Sequence, residues 1–295
     1  MINPRGGTEL LAANFNKWVG AAIPRGVNII VSNTAPALLK SNQKNVLWQH
    51  LDTDQENTLG LSDRSYVDRL AKIVFVSNWQ MKKHIDVFKL PEDKCTVRLN
   101  AIENIEWVEK STGGVLRMIY TSTPWRGLEL LVESFKLLNR VDVVLDVYSS
   151  TVIYGTQFMK NGYDWLFDRC RATAGINYRG YVSNLAVIKA CQSAHIFSYP
   201  SIFPETSCMS AIEAGAAGCN LITTKLGALD ETCGGWAEHI PVTGELVETY
   251  AGALDTAINN YTHRSPRWRQ QAEWFNEKYS WRTRMGEWIE LLENL

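Results

Sequence analysis

The sequence predicts an α/β fold made of two doubly wound domains, and three observations support this prediction. The chain of 295 residues is long enough for about two domains, each with its own core. From residue 115 onward, short apolar runs alternate with amphipathic stretches, which is typical of a parallel sheet covered by helices. The first hundred residues show the same alternation less clearly.

In the second half of the chain, each predicted strand is a short run rich in apolar residues. These strands are expected at 115–120, 141–148, 176–178, 195–199 and 219–223. The apolar residues of 128–138 follow helical spacing and leave Glu129, Glu133 and Lys136 for solvent. Ser183 is expected to cap a helix that ends near Ala194. A helix rich in small residues should lie between the last two strands.

The first half of the chain is expected to form the smaller domain. Its strands are predicted at 27–31, 45–49, 72–76 and 96–99. Residues 103–114 are charged and end in Gly-Gly, which suits a linker. We therefore predict domains at 1–108 and 109–279. Periodicity does not decide which domain is completed by the helix predicted at 280–295, although the reduced first domain is the candidate.

The charge composition argues against a protein that binds nucleic acid or anionic membranes through its overall charge. Thirty Lys and Arg against 31 Asp and Glu give a formal charge of −1, so no global basic field would attract nucleic acid or an anionic membrane. The composition does not exclude a local basic patch. Residues 264–284 mix cations with aromatic side chains in a way that suits nucleic acid or lipid phosphate. Solvated arginines on amphipathic helices are the commoner explanation of such a pattern.

The cysteines and the hydropathy pattern favour a cytoplasmic protein. The six cysteines lie far apart and lack the spacing of a zinc site, so reduced thiols are the simplest interpretation. The chain shows neither a signal-peptide pattern nor an apolar stretch of about 18 residues that would span a membrane.

Residues 198–231 carry the richest chemistry. A strand is predicted to end at Tyr199, a loop with prolines reaches Glu205, and Thr206 or Ser207 is expected to cap a helix that runs through Ala217. The start of a helix presents free amides and the positive end of its dipole, where phosphate binds. If residues 207–213 are helical, the carboxylates of Glu205 and Glu213 lie about 10 Å apart, a separation that suits two ends of an extended ligand.

Glu205 and Glu213, with seven residues between them, resemble the EX7E motif of retaining glycosyltransferases with the GT-B fold, especially those of family four. Residues 221–231 resemble the strand, glycine turn and acidic residue that follow this motif in the family. Other segments occur in the family's order and resemble its Gly-Gly loop, histidine-bearing strand end, interdomain strand and basic-Gly turn: Gly6–Glu9, Leu47–His50, Phe75–Trp79 and Thr123–Leu128.

This resemblance implies two Rossmann-like domains that face a cleft, with a reduced amino-terminal domain. It implies transfer of a sugar from a UDP- or GDP-sugar on the second domain to an acceptor on the first, with retention of configuration and without a metal or other cofactor. Glu205, His50 and Arg126 would be the catalytic residues. The implied donor-binding residues are Gly6, Gly7, Arg126, Tyr181, Val182, Thr206, Ser207, Cys208, Glu213 and Lys225.

The resemblance also suggests roles for individual side chains. Glu213 would bind the ribose hydroxyls and Glu205 the sugar, while Arg126 and the amides at 206–208 would stabilise the diphosphate. His50 would orient the sugar or relay a proton. The acceptor stays open among a growing glycan, a lipid-linked sugar, a protein side chain and a hydroxylated DNA base.

Two features depart from the family pattern. Thr121 stands where a second basic residue is usual, although Lys225 could substitute for it, and the strand that leads into the Gly6-Gly7 loop has almost no residues to form it. The alternative hypothesis is therefore a protein that binds nucleotide sugars without turnover.

One further motif suggests a different chemistry. Asp52-Thr53-Asp54 is a DxD sequence. It resembles the motif that bridges a metal ion and a diphosphate in GT-A glycosyltransferases. Such a sequence arises easily in an acidic loop, and Gln55-Glu56-Asn57 continues this one. We therefore predict no metal site.

Overall fold

Two parallel β-sheets flanked by helices make up residues 7–152 and 162–295, the part of the chain that the computed structural model describes. Within both sheets, neighbouring strands pair in parallel. The predicted α/β class is therefore confirmed. We call the sheet of residues 27–97 with its helices the first lobe, and the sheet of residues 116–240 with its helices the second lobe.

The first lobe has four strands in the order β1-β2-β3-β4. Its strands are β1 (Val27–Val31), β2 (Lys44–Gln49), β3 (Leu70–Phe75) and β4 (Cys95–Val97). The helices that belong to this part of the chain are α1 (Gly7–Trp18), α2 (Arg64–Asp68) and α3 (Asn78–Phe88). Because helices cover both faces, the central strands are apolar along most of their length.

The second lobe has six strands in the order β10-β9-β8-β5-β6-β7. They are β5 (Leu116–Thr121), β6 (Val143–Tyr148), β7 (Ile176–Tyr178), β8 (Ile196–Tyr199), β9 (Asn220–Thr224) and β10 (Ala237–Ile240). Its helices are α4 (Leu128–Leu138), α5 (Asp164–Ala172), α6 (Asn184–Ser193), α7 (Met209–Ala216), α8 (Leu229–Cys233), α9 (Leu246–Asn259) and α10 (Pro266–Lys278). One more helix, α11 (Trp281–Glu293), follows them in the chain.

The strand order of the second lobe reverses at β5. This strand pairs with β6 on one side and with β8 on the other, so the connections that leave β5 and β8 run in opposite directions. In such sheets a crevice opens at the carboxyl ends of the strands, at the point of reversal. Thr121 ends β5 and Tyr199 ends β8, and both face this crevice.

The last helix, α11, packs on the first lobe. The ring of Trp288 lies 4.8 Å from that of Phe15 in α1 and 5.2 Å from that of Trp48 in β2. Trp281, Leu291 and other apolar residues of α11 join the same buried cluster. Sequence periodicity left this question open, because an amphipathic pattern shows which face is buried and not what covers it.

The segment predicted as a charged linker is packed rather than free. The amide of Ile102 donates to the carbonyl of Tyr279 at 2.8 Å, and the amide of Trp281 donates to the carbonyl of Ile102 at 3.2 Å. The two connections between the lobes therefore run side by side and are hydrogen-bonded to each other. Lys110, within the same segment, is only 3% exposed.

Across residues 7–152 and 162–295, we find no helix with the length and apolar character that a membrane crossing requires. All six cysteines are free thiols, and five of them are buried.

Candidate functional site

A cleft of about 690 Å³ lies between the lobes, where the carboxyl ends of β1 and β2 face those of β5 and β8. Ser32 and His50 contribute to its wall from the first lobe. Arg126, Glu205 and the segment 206–210 contribute from the second lobe. We call this cavity the Glu205 compartment.

A second cavity of about 540 Å³ continues the cleft along α7. Its walls include Tyr181, Val182, Asn184 and Glu213, and we call it the Glu213 compartment. The residues common to both compartments are Gly7, Leu11, Thr121, Ser122, Met209 and Ser210. The two cavities therefore form one groove that passes the start of α7, long enough to hold a ligand with two dissimilar ends.

The backbone around Glu205 is fixed by close packing against the turn after β9. Residues Glu205 and Gly227 form an isolated parallel bridge, and the amide of Ala228 donates to the carbonyl of Glu205 at 2.7 Å. Gly227 has φ of +63°, and a Cβ at that position would lie 2.5 Å from the backbone nitrogen and oxygen of Glu205. A glycine is therefore required here, and it sets the position of the Glu205 carboxylate.

The Glu205 carboxylate is held by two side chains of the second lobe. Tyr199, at the end of β8, donates its hydroxyl hydrogen to Oε1 of Glu205 at 2.6 Å. Arg126 forms an ion pair with the same oxygen. The side chain of Glu205 is only 8% exposed, so these partners compensate for its burial.

Arg126 reaches Glu205 because of an unusual turn. Residues Pro124–Arg126 form one turn of 3-10 helix, which ends at Gly127 with φ of +96°. A Cβ on Gly127 would lie 2.0 Å from the carbonyl oxygen of Pro200, so only glycine fits. The guanidinium carbon of Arg126 also lies 3.9 Å from the ring centroid of Phe203, a cation–π contact that orients the side chain.

The start of α7 differs from the prediction. The sequence predicts Thr206 or Ser207 as the cap of this helix, and that prediction is wrong. The N-cap residue is Cys208, which makes no side-chain hydrogen bond to the helix. Thr206 uses its hydroxyl elsewhere, because it donates to the carbonyl of His50 in the first lobe at 2.7 Å. No side chain therefore covers the first amides of α7 from the N-cap position.

His50 is buried and neutral. Its Nδ1 lies 2.9 Å from Oγ of Ser32, which also accepts a hydrogen bond from the His50 amide at 3.1 Å. Burial lowers the pKa of His50 from 6.5 to about 3, although a hydrogen bond with the backbone of Trp48 acts in the opposite direction. Its Nε2 has no partner among the described residues, and the residue lines the Glu205 compartment. His50 can therefore offer a hydrogen bond to a ligand.

Glu213 and Glu205 line different compartments of the same groove. Nδ2 of Asn184, at the start of α6, donates to Oε1 of Glu213 at 2.9 Å. Burial raises the pKa of Glu213 from 4.5 to about 7, and the bond from Asn184 only partly opposes this rise. Glu213 is thus a carboxyl group whose charge changes near neutral pH.

The remaining predicted residues fall into three groups. Gly7 begins α1 and lines both compartments, and Ser207 and Cys208 line the Glu205 compartment. Lys225 is exposed at the end of β9 and is not among the described residues that line either compartment. Gly6 lies outside the described residues.

Several residues of the cleft were not predicted from the sequence. Asn100 is 3% exposed and Thr123 is 4% exposed, and both line the Glu205 compartment. Their Oδ1 and Oγ1 atoms, like Oγ1 of Thr121, lack a partner within the described part of the chain. The signal available in the sequence was their position, because Thr121 and Thr123 lie at the end of a strand at the point where the strand order reverses. Tyr199 was noted only as a strand end.

The DxD sequence has a structural explanation. Asp52 is 1% exposed and forms an ion pair with Lys83 at 2.6 Å, while Asp54 is exposed. The same Asp52 carboxylate accepts a hydrogen bond from the amide of Thr53 at 2.7 Å. Among residues 7–152 and 162–295, no group of three or more His, Cys, Asp or Glu side chains is arranged to hold a metal ion.

A protein-family model described as glycosyl transferases group 1 matches residues 103–274, which include Arg126, Glu205 and Glu213. The chain belongs to this family. No curated protein sequence matches the chain significantly. The matched region is the second lobe, where the start of α7 and both glutamates lie.

Solved glycosyltransferase structures resemble this chain over 86–98% of its length. A glycosyltransferase from Rickettsia africae ESF-5 has a TM-score of 0.70 at 18% identity, over 97% of this chain and 80% of that one. Anabaena Alr3699/HepE in complex with UDP-glucose has a TM-score of 0.66 at 14% identity, over 86% and 73%. The pneumococcal O-GlcNAc transferase GtfA with UDP and GlcNAc has a TM-score of 0.65 at 13% identity, over 98% and 60%. The predicted GT-B arrangement of two Rossmann-like domains is therefore confirmed.

Proposed function

We propose that the protein transfers a sugar from a nucleoside diphosphate sugar to an acceptor hydroxyl, with retention of anomeric configuration. The observation that carries this proposal is one groove in which Glu205, Arg126 and the start of α7 face His50 across the lobes. The family membership supports the reaction class. The proposal includes retention of configuration, membership of family four, and an EX7E pair formed by Glu205 and Glu213.

The donor would lie along the second lobe. Glu213 would accept hydrogen bonds from the ribose hydroxyls, and Tyr181 and Val182 would contact the base, since these residues share one compartment. The diphosphate would then reach the first amides of α7, next to Arg126. Similar structures contain UDP-glucose and UDP with GlcNAc, so UDP-sugars are the first donors to test and GDP-sugars the second.

Catalysis would depend on stabilising the leaving group. As the bond between the anomeric carbon and the diphosphate oxygen breaks, the diphosphate takes the electron pair and gains negative charge. Arg126 and the amides of α7 are fixed before the reaction and would stabilise that charge. The acceptor oxygen would bond to the same face of the anomeric carbon, and its proton would pass to the leaving diphosphate.

Glu205 and His50 would position the transferred sugar. Glu205 is engaged by Arg126 and Tyr199, which suits a hydrogen-bond acceptor better than a free nucleophile. With a pKa near 3, His50 is a weak base at neutral pH, so orientation of the sugar fits it better than proton relay. We propose no metal or other cofactor, because Arg126 and the helix amides can supply the positive charge.

A thermal-shift panel followed by a turnover assay tests this proposal. UDP, GDP, UDP-glucose, UDP-N-acetylglucosamine and GDP-mannose would be added in separate samples, because a ligand that binds the native state raises the melting temperature. At least one nucleotide sugar should stabilise the protein and release its nucleoside diphosphate, with EDTA present or absent. Binding without any release of nucleotide would favour the alternative, a protein that binds donors without turnover.

The variants Glu205→Gln and Arg126→Ala refine the test. Loss of transition-state stabilisation should lower turnover by about 100-fold or more. Arg64→Ala is the control for Arg126→Ala, because Arg64 is an exposed residue of α2 that forms an ion pair with Asp68 one turn away. If activity and folding stability fell in parallel in both site variants, Glu205 and Arg126 would be structural.

A further inference from the structure

The first-lobe side of the Glu205 compartment is rich in side chains that can both donate and accept hydrogen bonds. These side chains face the wall that carries Glu205 and Arg126, and they come from α1, from the loops after β1 and β4, and from the loop between β2 and α2. They are Thr8, Ser32, Asn33, Gln55, Asn57 and Asn100.

Asn100 is the most informative of these residues. It is 3% exposed, yet its Oδ1 has no hydrogen-bond partner in residues 7–152 and 162–295. A buried polar atom without a partner costs free energy of folding, and few such atoms occur in native structures. Asn100 lines the cleft, so a bound molecule can supply the missing partner.

The unpartnered groups share one chemical property. Besides Asn100, His50 contributes Nε2 and Thr123 contributes Oγ1, and both residues are more than nine-tenths buried. The amide oxygen of Asn100 accepts, while a neutral imidazole nitrogen and a hydroxyl can each take part as donor or as acceptor, depending on tautomer and rotation. Sugar hydroxyls have the same dual capacity, whereas phosphate oxygens only accept.

Charge on the first-lobe side opposes an anionic acceptor. Among the described lining residues from this lobe, Glu9 is the charged one, and Asp54 and Glu56 are exposed in the loop that contains Gln55 and Asn57. Lys83, near this loop, is paired with Asp52. Recognition of DNA or of a lipid phosphate requires Lys or Arg to neutralise phosphates, and this wall offers the opposite charge.

We infer that the acceptor is an uncharged carbohydrate whose hydroxyls bind the first-lobe wall, with Asn100 as a positioning residue. This inference rests on the proposed function, since the acceptor hydroxyl attacks the donor held by the second lobe. Asn100 holds the acceptor so that one hydroxyl oxygen faces the anomeric carbon. The oxygen forms the new bond, and the hydroxyl proton leaves with the nucleoside diphosphate.

The test supplies four kinds of acceptor together with whichever of UDP-glucose, UDP-N-acetylglucosamine or GDP-mannose stabilises the protein. The probes are neutral p-nitrophenyl glycosides, duplex DNA that contains 5-hydroxymethylcytosine, vesicles that contain undecaprenyl phosphate, and a serine-rich peptide. Neutral glycosides should raise the rate of nucleotide release about tenfold or more over hydrolysis and yield a longer glycoside. The other probes should not.

Asn100→Ala provides the test of the positioning role. It removes a side chain that makes no hydrogen bond within the described chain, so its melting temperature should change by less than about 3 °C. Its kcat/KM for the glycoside should fall about 10- to 100-fold, a much larger fall than that of donor binding or acceptor-free hydrolysis. A structural role would not separate these measurements. Asn260→Ala, at an exposed asparagine after α9, is the matched control.

The outcomes distinguish this inference from the proposed function. If no nucleotide sugar binds or is hydrolysed, the proposed function fails. If a donor is hydrolysed but only the DNA, the vesicles or the peptide accelerates release, the donor chemistry stands and the neutral-carbohydrate inference is overturned. Equal effects of Asn100→Ala on hydrolysis and on transfer would overturn the positioning role.

Discussion

The hydroxyl of Thr206 donates a hydrogen bond to the backbone carbonyl of His50 at 2.7 Å, which joins the two lobes inside the cleft. Thr206 lies between Glu205 and the start of α7, and His50 follows β2. The bond therefore sets the distance between the predicted sugar-binding histidine and the predicted diphosphate site. It also explains why Thr206 does not cap α7.

Thr206→Val should lower transfer more than it lowers stability. Valine keeps the shape of threonine but removes the donor, so the lobes lose one contact across the site. We expect kcat/KM for transfer to fall about tenfold and the melting temperature to fall by less than about 4 °C. Thr262→Val, at an exposed loop threonine, is the control. Unchanged transfer by Thr206→Val would show that this bond does not position the site.

Glu213 should make donor binding depend on pH. Its pKa is raised to about 7 by burial, so the carboxyl group is protonated below that pH and charged above it. Since ribose hydroxyls donate best to the charged form, the affinity for UDP-glucose should rise as pH increases from about 6 to 8. UDP-glucose is the suitable probe because the charge of its diphosphate is constant in this range. Glu213→Gln should remove the pH dependence.

The same pKa shift has a consequence for stability. The folded state holds a proton on Glu213 between pH 4.5 and about 7, where the unfolded state has lost it. The contribution of Glu213 to the free energy of unfolding therefore falls as pH rises through this window. Denaturation curves of wild type and Glu213→Gln should diverge across it, with the variant the less sensitive to pH. Parallel curves would contradict the raised pKa.

Glu231 joins the lobes at a second place. Its carboxylate accepts hydrogen bonds from the backbone amides of Asn78 and Trp79, at 2.8 and 3.0 Å, and from Nδ2 of Asn78 at 2.8 Å. These amides form the start of α3, where negative charge is favourable. Glu231→Ala should cost about 1 kcal/mol and loosen the lobes, which would raise the radius of gyration in X-ray scattering. Glu248→Ala, on the exposed face of α9, should change neither quantity.

Lys110 is expected to stabilise the second lobe. Its ammonium group donates to the carbonyls of Cys191, Gln192 and Ala217 at 2.8, 2.9 and 2.8 Å, near the ends of α6 and α7. Burial lowers the pKa of this lysine, and the three carbonyls compensate for its desolvation. Lys110→Met would remove the ammonium donor from all three carbonyls and should lower the free energy of unfolding by about 2–4 kcal/mol.

The control for Lys110→Met is Lys189→Met, at an exposed lysine of α6. It should change the free energy of unfolding by less than about 0.5 kcal/mol in urea denaturation. A small effect of Lys110→Met would show that water molecules replace the ammonium group as hydrogen-bond donors to these carbonyls.

Local pattern was sufficient to predict most of the strands and the helix at 128–138, because buried parallel strands are short apolar runs. The strand Ala237–Ile240 was missed, since Glu238 and His239 interrupt its apolar pattern and its pairing with β9 is a tertiary contact. Residues 103–114, which include Lys110, were predicted to form a charged linker for a similar reason. Only the folded chain brings three helix-end carbonyls to one lysine.

The candidate site, like the fold, was predicted only in part from the sequence. Glu205, Glu213, Arg126 and His50 were selected because they fall in a known order along the chain, and the structure places them around one groove. Asn100 has no distinctive motif, and its burial without a partner is visible only in three dimensions. The cap of α7 was predicted wrongly because Thr206 forms a contact with the opposite lobe.

The proposed function requires a diphosphate to bind at the start of α7, between the lobes. A crystal structure of the protein with UDP would show whether the diphosphate binds there. We predict that the diphosphate lies within hydrogen-bond distance of the amides at 206–209 and of the Arg126 guanidinium, with the ribose hydroxyls on Glu213. A diphosphate bound elsewhere, or a ribose that makes no contact with Glu213, would contradict this account.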